Sequence, residues 1–249
     1  EGREIRAEQG LGAPGPVVMP GSGVAVVVTG RFGDLPTLSV EKPELPFLRF
    51  LEQVRVFFPG VELVADATLS AESDPYLEDH VYHGERLLPA VMGLEAMAQA
   101  AMAVTGIPTP PSFENVELSR PIVVPRDGKL AIRLAALVRE PGVVEVVLRT
   151  EETGFSADHF KAVCRFAVAG VEDTVRRTAE EVPGLAAMHL PMDAERDVYD
   201  ELLFHTGRFR RVRGYRHLRA KECLAEIEPD GEVQWFGRYL PAGLVLGDA

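Results

Sequence analysis

The sequence predicts an α+β fold in which one long, enclosed helix lies against an antiparallel sheet. Three observations point there. Pro89 to Val104 is apolar on nearly every side, as a helix wrapped by protein requires. Glu62 to Ser70 alternates apolar and polar residues with the two-residue period of a half-exposed strand. Four more β-rich stretches follow the helix: Phe113 to Val124, Leu130 to Arg139, Val143 to Glu151 and His159 to Val168. A helix laid on a sheet built mostly after it makes a compact unit of two layers.

The elements follow in order. Residues 7 to 23 are rich in Gly and Pro and read as a linker. Gly21-Ser-Gly23 is a turn and not a phosphate loop, because no Lys-Ser/Thr follows it and a strand, Val24 to Thr29, comes next. Pro43 to Val54 is mixed, with room for a helix. Asp74 to Leu88 is a polar loop that feeds the long helix. Pro89 suits the first helical turn, where a missing N–H costs nothing, and Gly106-Ile-Pro-Thr-Pro-Pro111 ends the helix. Residues 171 to 184 are charged, contain Pro183-Gly184 and read as a second linker.

A second unit then begins with a short helix, Asp193 to Leu203. Strands are expected at Arg211 to Leu218, Lys221 to Glu228 and Val233 to Arg238. No second long apolar helix precedes Ala249. If this unit is built like the first, it is expected to be incomplete, the chain stopping about where its helix would start. The expected division is a junction region over 1–56, a first unit over 57–170, a linker over 171–192 and a second unit over 193–249.

Bulk properties exclude several classes. With 249 residues the chain can bury a core in one large domain or two small ones. A formal net charge of −12 argues against general nucleic-acid binding, which rests on cationic contacts to phosphate. The two cysteines, Cys164 and Cys223, lie in apolar strand-like stretches and read as buried reduced thiols. Cys and His show no metal-ligand spacing, so no metal is expected. Leu87 to Val104 spans 18 residues, near the lower limit for a membrane helix. Arg86 before it, with Pro89, Glu95 and Gln99 inside it, favours a helix wrapped by protein. The N-terminal acids, with no apolar run after them, do not make a secretory signal. The expected compartment is the cytoplasm, with no membrane contact.

The most specific stretch is His80 to Gln99. His80 sits on a loop leading into the apolar helix, with Gly84 and Pro89 between. An apolar flank keeps an imidazole neutral and therefore basic. A base beside the free N–H groups of a helix start can take a proton from carbon next to a carbonyl while those N–H groups hold the oxyanion. Gly84 permits a positive φ or a close backbone approach. His83 competes as base but sits beside the glycine. Tyr82 either lines the mouth of the site or packs. Glu95 is a candidate acid, set against a buried acid bonded to neighbouring polar groups. His159, His189, His205 and His217 read as structural. Arg208, Arg210, Arg211, Arg213, Arg216, Arg219 and Lys221 crowd one strand region. They form either a solvated face or a dock for an acidic partner, where arginine offers bidentate contacts.

His80-x3-Gly84-x4-Pro89 resembles the active-site signature of the dehydratase domains of polyketide and fatty acid synthases. Leu94-Glu-Ala-Met-Ala-Gln99 is similar to the helix of stand-alone bacterial hydroxyacyl-carrier dehydratases. Phe204-His-Thr-Gly-Arg-Phe-Arg-Arg-Val212 and Trp235-Phe-Gly-Arg-Tyr-Leu240 resemble the second half of the enediyne-type iterative polyketide synthase dehydratases. The resemblance covers residues 57 to 249. It implies a double hotdog, two units that each wrap an antiparallel sheet around a long helix.

It also implies that His80 removes the α-proton of a β-hydroxyacyl thioester. A backbone N–H at or near Gly84 would bind the thioester oxygen, and an acid in the second unit would protonate the departing hydroxyl. The family's acid is an Asp opening the second helix, with His or Gln about four residues on. Asp248 lies near that place, but only Ala249 follows it. Tyr82, Pro89, Glu95, His205 and Arg208 complete the implied substrate-binding set. No cofactor is implied beyond the phosphopantetheine of an acyl carrier protein. That carrier and the other domains of a parent synthase are the implied partners, and a homodimer stays open. Two other functions share the fold. A hotdog thioesterase would use Glu95 to hold water and would not need His80. A non-catalytic module would dock a carrier through the arginine cluster.

Overall fold

Small side chains let the helix α1 (Ala90–Thr105) lie deep against a sheet. Met92, Ala96, Met97, Ala100 and Ala101 are wholly buried. Gly93 has no room for a side chain, because a Cβ there would meet the ring of Phe160. Pro89 is the N-cap and not the expected first helical residue, and its carbonyl accepts the Gly93 N–H at 3.0 Å. At the other end Gly106 takes φ 71° and donates its N–H to Met102, the left-handed cap that glycine adopts without penalty. The computed structural model describes residues 45–46, 48–126, 128–167, 192–199, 203–229, 233–238, 240 and 243–247.

In chain order the strands begin with β1 (Gln53–Phe58), β2 (Glu62–Leu69), β3 (Val81–Tyr82), β4 (Glu85–Leu87), β5 (Ser112–Leu118) and β6 (Val123–Val124). They continue with β7 (Leu130–Glu140), β8 (Val143–Thr150), β9 (Phe160–Arg165), β10 (Val212–Arg219) and β11 (Glu222–Ile227). Six of them form one antiparallel sheet in the order β1-β2-β7-β8-β9-β5. Strand alternation sends Leu63, Ala65 and Leu69 of β2, Ile132 and Leu134 of β7, and Val144, Val146 and Leu148 of β8 into the core under the helix. This is the expected α+β arrangement, a hotdog with one main helix. A separate small sheet, β3-β4-β6, carries the loop before the helix, and β10-β11 is an isolated hairpin.

Several expectations need correction. Phe113 to Val124 is not one strand: β5 ends at Leu118 and β6 belongs to the small sheet. The sheet starts before residue 57, since β1 begins at Gln53, and the described part of the preceding segment is not helical. There Arg49 and Phe50 are wholly buried. Arg49 donates to Asp74, Ser73, Glu52 and the carbonyl of Thr68, so its charge is fully partnered inside the fold.

Val233 to Arg238 is not a strand either. Trp235 and Phe236 plug into the core, with the Phe236 ring edge-on to Phe50 at 5.7 Å and to Tyr76 at 6.1 Å. The short helix after Asp193 is present over Glu195–Tyr199, and among the described residues the second unit holds no long helix. Cys164 is buried, its thiol pushed up to about 12, but Cys223 is exposed, on a two-stranded hairpin none of whose strand residues is buried. The linkers at 7–23 and 171–184, the strand at 24–29 and His189 lie outside the described residues.

Candidate active site

A short 3-10 turn over Pro75–Asp79 delivers the chain to His80, whose own N–H caps the turn on Leu77. The β3–β4 hairpin follows. Its two-residue loop places His83 at φ 46° and Gly84 at φ 84°. Positive φ at both positions is the turn that matches the twist of paired strands, and the second position suits glycine. His83 is thereby fixed at an exposed turn, away from the role of base. The hairpin returns Leu87 beside His80: the Leu87 N–H donates to the His80 carbonyl at 3.1 Å. Leu88 then bonds to Ile122, and Pro89, buried, opens α1.

The His80 imidazole is held by the same partner. Its Nδ1 lies 3.0 Å from the Leu87 carbonyl oxygen. A carbonyl only accepts, so Nδ1 carries the proton and Nε2 keeps a free lone pair. Three rings from the second unit pack around it: Phe204 at 4.8 Å, His205 at 5.1 Å and Phe209 at 5.7 Å between centroids. Phe204 stacks on His205 and also meets Tyr82, while Phe209 packs on Trp235. Burial pushes the His80 imidazole below its ordinary value, partly offset by the bond to Leu87, with His205 adding a further push downward. His205 is lowered by burial too, and its Nδ1 is buried with no hydrogen-bond partner. The pair is therefore neutral near pH 7, with a free base on His80.

Glu95 is 1% exposed. Oε1 accepts from Gln99 Nε2 and from the Val245 N–H, both at 2.8 Å, and Oε2 accepts from the Leu246 N–H at 3.0 Å. Burial raises its pKa against those three donors. Both oxygens are engaged with the protein, which supports the structural role over contact with substrate or a hydrolytic water. Arg208 is likewise committed internally. It ion-pairs with Asp79, its Nε donates to the Gln234 carbonyl at 3.0 Å, and NH1 reaches the Pro75 carbonyl.

The rest of the arginine cluster is less positive than its sequence suggests. Arg210 pairs with Glu195, Arg213 with Glu228, and Arg216 with Glu226. Tyr82 is 48% exposed at the edge of the site. Asp248 lies outside the described residues. His159 and His217 are structural, bonded to Thr150 and Glu222.

Sequence reasoning brought His80, Tyr82, Gly84, Pro89 and His205 to one place. It missed Asp79, Phe209 and Trp235 as parts of that place. The signals were the acid directly before His80 and the aromatics flanking Gly207. An open cavity of about 640 Å³ lies elsewhere, lined in part by Glu52, Ser70, Ser73, Lys129 and Arg238. There Ser70 and Ser73 share a hydrogen bond, and Ser73 Oγ donates to the Asp74 carboxylate, which is ion-paired with buried Arg49. Among the described residues no cluster of metal ligands occurs, and no helix is long and apolar enough to cross a membrane.

Residues 52–159, which include His80, Gly84, Pro89 and Glu95, match the family described as "Polyketide synthase dehydratase domain". Solved structures with similar folds are dehydratase domains of the same kind. One, from work on substrate selection in the borrelidin and fluvirucin polyketide synthases, is 24% identical with TM-score 0.55, covering 78% of this chain and 71% of that one. A dehydratase domain of a mycocerosic acid synthase-like polyketide synthase is 21% identical with TM-score 0.56, covering 76% and 64%. The dehydratase domain from the CurF module of curacin polyketide synthase is 15% identical with TM-score 0.53, covering 68% and 61%. At these identities the likeness is one of fold. The chain spans less than two thirds of the length of the latter two.

Proposed function

We propose that this chain is part of a polyketide synthase dehydratase that removes water from a β-hydroxyacyl thioester to leave an α,β-unsaturated thioester. The observation that carries the reading is the His80 ring: neutral, fixed through Nδ1 on Leu87, with Nε2 free among packed aromatics. Nε2 takes the α-proton. The C–H electrons form the Cα=Cβ bond, the Cβ–O bond breaks, and the hydroxyl leaves as water after receiving a proton from an acid. A backbone N–H at or near Gly84 holds the thioester oxygen as charge builds on it. Asp248 is the proposed acid, with Tyr82 and His205 lining the acyl path.

The substrate arrives on the phosphopantetheine of an acyl carrier protein, and the other domains of the synthase are the remaining partners. The Phe204–Val212 and Trp235–Leu240 stretches support an iterative, enediyne-type parent. The test is conversion of a β-hydroxyacyl pantetheine thioester by the parent polypeptide with and without His80→Ala. Loss of the enoyl product with the fold intact supports the reading, and full turnover by the variant overturns it.

A further inference from the structure

Asp79 and Arg208, 129 residues apart, meet beside His80. The carboxylate of Asp79 accepts both the Arg208 guanidinium and the Arg208 backbone N–H, the latter at 3.3 Å. The Asp79 carbonyl accepts the Thr206 N–H at 3.0 Å. Gly207 lies under that carboxylate at φ 48°, and a Cβ there would collide with Asp79 Oδ1. Arg208 extends the bond set to the Pro75 and Gln234 carbonyls. The 204–209 segment is therefore bonded through Thr206 and Arg208 to the residue immediately before the base, with Gly207 between them packed close under its carboxylate. The same segment supplies Phe204, His205 and Phe209 to the His80 ring.

We propose that Asp79 and Arg208 are positioning residues that clamp the 204–209 segment over His80 and so set the shape and dryness of the site. This rests on the dehydratase reading for its consequence in turnover, but the clamp itself is a statement about His80 and its cover. A charge-assisted pair of this kind fixes geometry as well as attraction, because arginine offers several donors in a rigid fork. When the clamp opens, water reaches the imidazole. Burial then no longer disfavours its charged form, and its pKa climbs toward the ordinary value. The titratable group facing the His80 ring is His205, which leaves with the segment and removes its own push in the same direction. Asp79 remains as the chain neighbour, freed from Arg208.

The test compares the whole chain with Arg208→Met, Arg208→Lys and Asp79→Asn. His80 is titrated by NMR of its ring protons, and thioester dehydration is followed against pH. Both neutral variants are expected to raise the His80 pKa and to move the ascending limb of the pH profile upward. They are expected to lower kcat about tenfold or more, as small displacements of a reacting group do. Arg208→Lys, which keeps the charge, should recover part of both shifts. An unchanged His80 titration in folded Arg208→Met and Asp79→Asn overturns the proposal. So does failure of all three variants to fold, which would make the pair an element of the fold and not of the site. A shifted titration with no dehydration by any form leaves the clamp standing and removes the dehydratase reading instead.

Discussion

His80 and Leu87 hold each other at two points, ring Nδ1 to carbonyl oxygen at 3.0 Å and carbonyl oxygen to N–H at 3.1 Å. The second bond fixes the backbone and the first fixes the tautomer, so the free lone pair on Nε2 follows from hairpin geometry. A base works only when unprotonated. With burial holding His80 below its ordinary value, activity should rise with pH along a limb that lies below the usual imidazole range. A profile of kcat/KM against pH on a soluble thioester checks this, and a limb above that range contradicts it.

Stability should follow the same groups. His80 and His205 are both lowered in the folded chain by burial and recover on unfolding. Between the lowered and ordinary values the unfolded chain binds more protons, so stability rises with pH across that window and is lost as pH falls through it. His205→Phe keeps the packing and removes one titration. Its melting temperature should decline less steeply toward acid than that of the parent, and equal slopes would rule out a contribution from His205.

Glu95→Ala leaves the Val245 and Leu246 N–H groups without their acceptor. The expected loss is about 1–3 kcal/mol, the usual consequence of unsatisfied buried donors. Hydrogen exchange at those two amides should speed up well before exchange in the β7–β8 ladder does. Unaltered protection at both amides would refute the bonding described for Glu95.

Gly93→Ala places a methyl into the Phe160 ring, which sits directly over the glycine. Overpacking of this kind costs about 1–3 kcal/mol. Pairing it with Phe160→Leu should return part of that loss, which urea unfolding of the two single variants and the double variant will show. Additive losses would mean the two positions do not touch.

Gly207→Ala meets two obstacles at once, the positive φ and the Asp79 carboxylate. A loss of about 1–3 kcal/mol is expected from the backbone conformation alone. Thermal unfolding measures it, and a change within error of zero would show that the segment readily takes another path.

The His80, Gly84, Pro89 spacing was legible because its physics is local: a tight hairpin, then a helix start within ten residues. The alternation of β2, β7 and β8 was legible for the same reason. Asp79 with Arg208 was not, since nothing in either neighbourhood says which distant charge will complete it. Trp235 and Phe236 were misread as strand because aromatic and β-branched residues in a short run favour a strand by composition alone. Here they fill the gap beside Phe50 and Tyr76. The partner of Glu95 was hidden because a backbone N–H leaves no trace in a residue pattern.

Glu95 and Gln99 lie one turn apart on α1 and bond to each other, and each also reaches outward. Gln99 accepts the Phe50 N–H at 3.0 Å, while Glu95 takes Val245 and Leu246. A single buried amide–carboxylate couple thus ties two stretches of backbone nearly 200 residues apart, at Phe50 and at Val245–Leu246, to the middle helix. Any shortened or grafted version of this chain would do well to keep everything from Phe50 through Leu246. Seams inside those limits would strand a half-made polar knot in oil.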